Sequence, residues 1–233
     1  MTYEQYVSTY NTMLKSIQTY GGFWLSQYEA GIAYEKAGET PTHREKDDAL
    51  TVATYSKNNY VYNNLYCYQA QQVANNDTTE EYICSLPFGI QWDLVCKFID
   101  ENTSLEYEHI NTSSSSWGNF LGSFWTSNEN SRYSVDGGTT YVDEIYTKDS
   151  NKKVLLTTGA IEKTTLSDDA SPMNIYDFAG NVWEYTLEHA AETGKSVVIR
   201  GGNYINAQFG AATRYTGKPT AIGNNAGFRV TLY

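Results

Sequence analysis

The sequence predicts an α+β domain, with helices in the N-terminal half and short strands and loops in the remainder. Apolar residues at helical spacing predict a first helix over residues 3–20, which a Gly-Gly pair ends. The same spacing predicts helices at about residues 62–73 and 89–99. The third helix is expected to place one apolar face toward the core: Trp92, Val95, Cys96 and Ile99.

Strands are expected on either side of this helical region. The alternating, aromatic run at residues 23–32 predicts a strand, and the last third alternates strand patterns with tight turns. Residues 35–50 are charged and predict a surface loop. Residues 101–172 are rich in Ser, Thr, Asn, Asp and Gly and predict long loops with short strands, although their aromatic content argues against disorder. Because no repeat or linker divides the chain, we expect a single domain over residues 1–233.

Composition excludes several classes of function. The 16 basic and 27 acidic residues give a net charge of −11, which disfavours binding to nucleic acid or to anionic lipid. No apolar run is long enough for membrane insertion, and the N-terminus lacks the pattern of a secretory signal. The 21 tyrosines suit either a core or an adaptable binding surface.

Motifs for catalysis are also missing from the sequence. The three cysteines, Cys67, Cys84 and Cys96, lack metal-ligand spacing, and their odd number requires no disulfide framework. The histidines lie far apart and are expected at the surface. No nucleophile elbow, P-loop, dinucleotide fingerprint or zinc-protease motif occurs. The sequence therefore predicts that the protein is not an enzyme.

Three blocks near the C-terminus carry a family resemblance. They read NIYDFAGNVWEYTLE at 174–188, VVIRGGNY at 197–204 and NNAGFRVTLY at 224–233. Together they resemble the formylglycine-generating enzyme (sulfatase-modifying factor) family, a branch of the C-type lectin-like folds. LPFGIQWDLVCKFI, at 86–99, resembles a helix of the same family. The resemblance implies small mixed sheets, long loops and two to three helices, with the N- and C-terminal strands side by side.

The enzymes of this family oxidise a cysteine with copper held by two cysteine thiolates. The matching positions here fall near Asn206 and within residues 208–212, and none is sulfur. Thiolate pairs suit Cu(I), so no copper is expected. The resemblance therefore implies a scaffold without this chemistry, and a divergent metal-dependent oxidase is kept as an alternative.

The resemblance also implies a structural calcium site within NIYDFAGNVWE. Carried over by position, the side-chain ligands would be Asp177 and Glu184. The backbone carbonyl ligands would come from Phe178, Gly180 and Val182. Calcium prefers six to eight oxygen ligands around a tight loop. The alternative is that both carboxylates bond to backbone N–H groups and Trp183 is core.

One class of relatives uses this scaffold for binding. The chain resembles variable proteins of diversity-generating retroelements, whose C-terminal residues are varied between fixed framework motifs. The resemblance implies a variable ligand-binding region at 203–225, with Arg200, Gly201, Gly202 and residues 227–229 as framework. The candidate ligand contacts are Asn203, Tyr204, Ile205, Asn206, Gln208, Phe209, Arg214, Tyr215, Asn224 and Asn225. Exposed aromatics beside small polar residues are typical of adaptable binding surfaces.

Such proteins imply a cell-surface protein or glycan as the ligand. Without a signal peptide, the chain is expected in a phage virion tail, or on a bacterial cell surface as part of a larger assembly, and homo-oligomers are possible. A structural virion component is a second alternative to ligand binding.

Overall fold

The computed structural model describes residues 2–32, 44–149, 151–164, 171–207 and 209–233. The α-helices in these ranges are α1 (Tyr3–Tyr20), α2 (Cys67–Asn75), α3 (Gly89–Asn102) and α4 (Tyr107–Asn111), and a 3₁₀ turn covers Pro172–Asn174. The strands are β1 (Trp24–Leu25), β2 (Gly31–Ile32), β3 (Ala53–Thr54), β4 (Cys84–Ser85), β5 (Trp125–Ser127), β6 (Tyr133–Ser134), β7 (Thr147–Lys148), β8 (Leu155–Leu156), β9 (Ile161–Thr164), β10 (Trp183–Glu192), β11 (Lys195–Arg200), β12 (Tyr215–Gly217), β13 (Ala226–Gly227) and β14 (Thr231–Leu232). The α+β class is confirmed.

Local signals account for the predicted bounds of α1. The Thr2 hydroxyl accepts a hydrogen bond from Gln5 N at 3.2 Å, and Thr2 N donates to Gln5 Oε1 at 2.7 Å. This reciprocal capping satisfies N–H groups that the first turn leaves free. At the other end Gly21 adopts φ 81°, a left-handed conformation that glycine adopts without strain.

The second helix differs from prediction at both ends, and the third helix differs at its C-terminal end. The prediction that α2 begins near residue 62 is wrong, because the chain is extended there and Asn64 has φ 55°. Tyr66 N instead donates to Gln69 Oε1 at 2.9 Å, and the helix begins at Cys67. Helix α3 begins as predicted but continues to Asn102, and its predicted apolar face is buried. No helix in the described ranges has the length and apolar composition needed to span a bilayer.

The strands near the two ends of the chain lie side by side, as expected. β1 pairs antiparallel with β14, placing Trp24 opposite Leu232, and β14 also pairs with β4. The predicted strand at 23–32 is instead two short strands, β1 and β2. The chain bends between them, where the Ser26 hydroxyl donates to Tyr28 O at 2.9 Å.

The largest sheet positions the candidate site. Its strand order is β12-β11-β10-β13, with β10 and β11 forming an antiparallel hairpin and β13 parallel to β10. Register shifts interrupt the β10–β11 ladder after Tyr185 and after His189. The region of predicted long loops contributes the short strands β5 to β9. The segment 203–225 runs from the end of β11 through β12 to the start of β13.

Candidate functional site

Asn181, in the GNVWE block, connects three parts of the chain. Its side-chain oxygen accepts hydrogen bonds from Leu156 N and Asn119 Nδ2, each at 3.0 Å. Its Nδ2 donates to the buried carboxyl of Glu29 at 2.7 Å. Asn181 has φ 57°, which asparagine tolerates better than most residues. This block therefore holds loops together beneath the large sheet.

Arg229 and Glu184 form a buried ion pair between the GFR and GNVWE blocks. Arg229 Nε and Nη2 donate to the two carboxylate oxygens of Glu184, both at 2.6 Å. The guanidinium also donates to Ser26 O at 3.2 Å and Tyr176 O at 2.9 Å. Arg229 thus joins the two blocks through a bidentate contact and ties them to two loop carbonyls.

Arg200, of the RGG block, has a different arrangement. It donates to Asp93 at 2.7 Å and to Glu188 at 2.8 Å, so it joins α3 to β10 through two carboxylates. Arg214 bonds to the same two carboxylates, at 2.7 Å for Glu188. Arg200 is buried, whereas Arg214 is half exposed. The candidate contact Arg214 is thus part of a charged cluster of four residues: Asp93, Glu188, Arg200 and Arg214.

The two carboxylates implied as calcium ligands already have partners in this arrangement. Both oxygens of Glu184 accept from Arg229, and Asp177 Oδ2 accepts from Gly159 N at 2.5 Å. Burial raises the pKa of Asp177 to about 6. In the described ranges no group of three or more His, Cys, Asp or Glu side chains is placed to hold a metal ion. This donor set therefore fits an arginine better than calcium, which would have to displace Arg229.

Calcium at this motif stays a prediction with a direct test. If calcium replaces these contacts, EDTA should lower the melting temperature and added calcium should restore it, because a bound ion stabilises the folded state by mass action. The measurement is differential scanning calorimetry at pH 7 with magnesium as the control ion. A melting temperature unaffected by either treatment would leave Arg229 as the partner of Glu184.

Cys84 and Cys96 are buried and Cys67 is half-buried. Cys96 shares a core cluster with Phe209, Ala211 and Ala212, within the stretch that matches the copper ligands. Within the described residues Cys67, Cys84 and Cys96 are free thiols. Burial raises the pKa of each thiol to about 12. A thiol that stays protonated is a poor metal ligand and nucleophile. Of the histidines, His189 is exposed, His109 is half-buried, and His43 lies outside the described residues.

A cavity of about 260 Å³ opens beside β12 and is called the aromatic cavity. Four candidate ligand contacts line it: Asn206, Phe209, Tyr215 and Asn225. The other residues of its lining are Trp183, Tyr185, Val197, Ile199, Gly217, Lys218, Ala221, Ile222, Gly223 and Ala226. The structure thus brings residues from both ends of the segment 203–225 to one concave surface.

Aromatic rings form much of the cavity wall. Trp183 stacks on Tyr215 with ring centroids 5.4 Å apart, and meets Phe209 edge-on at 5.1 Å. Trp183 is buried, whereas Tyr215 is half exposed. Sequence reasoning missed the wall contributed by Tyr185 and Ile199. The alternation of β10 and β11 was the available signal, because these side chains share the face of Trp183.

The remaining candidate contacts lie elsewhere. Against the expectation of exposed side chains, Asn203 and Tyr204 are buried. Asn203 Oδ1 accepts from the backbone of Ile205 and Asn206, both at 3.0 Å. Tyr204 and the half-buried Ile205 belong to a core cluster with Val61, Leu155 and Val182. Asn224 is half-buried and accepts from Asn63 Nδ2 through its backbone oxygen, at 2.8 Å; Gln208 lies outside the described residues.

Two solved structures and one family model are similar to this chain. The structure of CarF is 14% identical with a TM-score of 0.48, covering 99% of this chain and 82% of CarF. Variable protein 1 of Treponema denticola is 16% identical with a TM-score of 0.43, covering 83% of this chain and 77% of that protein. No curated protein sequence matches. The model of the sulfatase-modifying factor enzyme 1-like domain matches residues 1–232. The expected family and its C-type lectin-like fold class are confirmed, and the chain belongs to the sulfatase-modifying factor enzyme 1-like domain family.

Proposed function

We propose that the protein is a noncatalytic ligand-binding protein of the type varied by diversity-generating retroelements. The observation that supports this most is the aromatic cavity, where Asn206, Phe209, Tyr215 and Asn225 converge. Rigid rings supply contact area, and the two asparagines supply adaptable hydrogen bonds, as in binding surfaces that accept many ligands. The ligand is a protein or glycan on a cell surface, and the protein acts within a phage tail or a bacterial surface assembly, with homo-oligomers a further expectation.

The separation of framework from cavity wall supports the same proposal. Arg229 anchors the block on one side of the segment through a buried ion pair, and the buried Arg200 anchors the other through two partly exposed carboxylates. Their ion-pair partners all lie outside residues 203–225. Within the segment, Arg200 shares two carboxylates with Arg214 and donates to Ala212 O at 3.2 Å. Substitutions at the cavity wall would therefore leave most framework contacts in place.

Absence of catalysis is part of the proposal. The positions that match the copper ligands carry no sulfur, and the buried thiols have raised pKa values. A cysteine-containing peptide incubated with the protein, Cu(I) and oxygen should show no protein-dependent oxygen consumption. Turnover that depends on the folded protein would support the divergent oxidase instead.

Filling the cavity tests the binding site. No described heavy atom lies within 4 Å of a Cβ added at Gly217, which lines the cavity two residues after Tyr215 on β12. Gly217→Leu should therefore place its side chain in the opening and reduce binding of the labelled protein to intact bacterial cells by about tenfold or more. The measurement is flow cytometry over a panel of bacterial isolates.

Gly22→Leu is the matched control for this experiment. An added Cβ at Gly22 also meets open space, and Gly22 lines neither the aromatic cavity nor its neighbour. This control should keep wild-type binding and melting temperature. Equal binding by Gly217→Leu and wild type would refute the aromatic cavity as the ligand site and, with it, the proposed function. The proposed variation by a retroelement has its own test in the DNA. A near-repeat of the codons for residues 203–225, differing from them at adenines, is expected near the gene.

A further inference from the structure

A second cavity, of about 610 Å³, adjoins the aromatic cavity and is called the tyrosine cavity. It lies between the first turns of α1 and α2 and the strands β10 and β11. Its walls include Tyr3, Tyr6, Tyr68, Leu187 and His189. Tyr3 and Tyr68 are 78% and 62% exposed, so large aromatic side chains stand open to solvent at its rim. Nearly all of this lining lies outside residues 203–225.

The two cavities share part of their wall on the large sheet. Val197 lines both, and the consecutive residues Lys218 and Pro219 line the aromatic and the tyrosine cavity respectively. Tyr185 and Ile199, which face each other across β10 and β11, both line the aromatic cavity. His189 and Val197, which face each other further along the same strands, both line the tyrosine cavity. Two residues of β11 and four of β10 separate these pairs, which is about 7–13 Å at about 3.3 Å per residue.

Among the described residues that line the two cavities, Lys218 is a cation without an ion-pair partner. Glu188 lines the tyrosine cavity and bonds to both Arg200 and Arg214. Nearby, Lys195 pairs with Glu192 at 2.8 Å. Lys218 is exposed and, within the part of the chain that the structure describes, makes no salt bridge. Because Lys218 lines the aromatic cavity and the next residue, Pro219, lines the tyrosine cavity, a ligand that occupies both cavities runs beside Lys218. The ammonium group of Lys218 favours a carboxylate at that point of the ligand.

The aromatic cavity suits an apolar side chain better than a sugar ring. Tyr215 and Phe209 pack against Trp183, so its ring is not free to stack on a sugar. Asn206, Asn225 and Lys218 are its polar side chains besides the tyrosines, whereas a buried sugar needs a partner for each hydroxyl. A cavity of about 150 Å³ already accepts benzene, so the larger volume here accommodates an aromatic or leucine side chain.

We infer that the ligand is an extended protein segment in which two apolar side chains are separated by acidic residues. One apolar side chain enters the aromatic cavity, the other enters the tyrosine cavity, and a carboxylate between them pairs with Lys218. This inference rests on the proposed binding function and names the partner of the same site. Buried apolar anchors around a charged contact are typical of protein interfaces.

Defined peptides test this inference on the intact protein. The probe is a fluorescent peptide with the central sequence Phe-Ser-Glu-Ser-Leu. When it is extended, its Phe, Glu and Leu side chains lie on one face, with Phe and Leu about 13 Å apart. Fluorescence anisotropy should show binding about tenfold or more tighter than for Phe-Ser-Lys-Ser-Leu, and than for single-anchor peptides with Ser in place of Phe or Leu. Equal affinity for the acidic and basic peptides would overturn the charge assignment.

Three variants assign each contact, and each has a matched control. Gly217→Leu, Tyr68→Ala and Lys218→Glu should each weaken the acidic peptide about tenfold, and Lys218→Glu should reverse the preference toward the basic peptide. Gly22→Leu, Tyr107→Ala and Lys152→Glu repeat these changes at exposed positions outside both cavities and should have no effect. Unchanged peptide affinity in all three variants would refute the inference.

Cell binding separates this inference from the proposed function. If Gly217→Leu abolishes cell binding but Tyr68→Ala and Lys218→Glu do not, the aromatic cavity binds a ligand and the two-anchor inference is wrong. The two-anchor inference is also wrong if treating the cells with periodate abolishes binding and treating them with protease does not, because the ligand is then a glycan. If Gly217→Leu binds cells normally, both proposals fail. Protease-sensitive binding that all three variants weaken supports both.

Discussion

Replacing Arg229 with methionine should destabilise the protein by about 3–5 kcal/mol, a large share of the roughly 5–15 kcal/mol that holds a typical domain folded. The methionine side chain fills similar space but leaves both oxygens of Glu184 without their donor. Burial alone would lower the pKa of Arg229. The carboxylates of Glu184, Glu29 and Asp177 outweigh this effect and raise the pKa. Loss of this cation therefore leaves three acidic groups close together with little solvent.

Urea unfolding at pH 7 measures this effect, and two further variants identify its cause. Arg214→Met removes an arginine that is half exposed and shares its carboxylates with Arg200, so its cost should be below about 1 kcal/mol. Adding Glu184→Leu to Arg229→Met should recover part of the lost stability, because an apolar pair avoids the unpaired buried charge. A cost below about 1 kcal/mol for Arg229→Met would show that this pair does not hold the C-terminal blocks together.

The bounds of α1 could be predicted because they depend on neighbours in sequence. Thr2 and Gln5 cap its start, and Gly21 ends it. The start of α2 could not be predicted, because the residues before it are held by distant partners such as Gly31, which bridges to Val61. Periodicity reports the preference of a segment, whereas contacts made far along the chain decide where its helix begins.

The candidate site shows the same division. The family resemblance led to Asn206, Phe209, Tyr215 and Asn225, which the structure places around one cavity. It did not separate them from Tyr204, because exposure depends on which face of the segment meets the core. The charged cluster was also out of reach, since Arg200 and Asp93 lie 107 residues apart. The tyrosine cavity brings α1, α2 and β10 together and has no signature in any single segment.

Stability should rise as the pH falls from about 7 to about 4, the reverse of the usual behaviour of ion-paired carboxylates. Burial raises the pKa of Asp177 from 3.8 to about 6 and raises the pKa of Glu29 well above its usual range. A carboxyl group with a higher pKa in the folded state takes up its proton there first. For Asp177, the pH range in question lies between the ordinary pKa of 3.8 and the folded-state pKa of about 6. In this range the folded protein binds more protons than the unfolded chain, so the free energy of unfolding grows as the pH decreases.

The size of this effect follows from the shift. A shift of about two pKa units corresponds to a change of about 3 kcal/mol in the free energy of unfolding across the titration. We expect about 1–3 kcal/mol from Asp177, because its side chain retains some solvent contact. Below about pH 4 stability should fall again, since hydrogen bonds from Thr140 and Ser134 lower the pKa of Asp136 to about 2 and are weakened when it is protonated. Urea unfolding at pH 2, 3, 4, 5, 6, 7 and 8 measures the profile.

Asp177→Asn isolates the titration from the packing. Asparagine tolerates the φ of 55° at this position and keeps an oxygen to accept from Gly159 N, but it carries no charge. This variant should be more stable than wild type at pH 7, with a shallower rise toward pH 4. Asp143→Asn, at a side chain 70% exposed, should leave the profile unchanged. If Asp177→Asn is less stable at pH 7 and keeps the wild-type slope, the ionised carboxylate is a stabilising partner at this position, as a bound cation would make it.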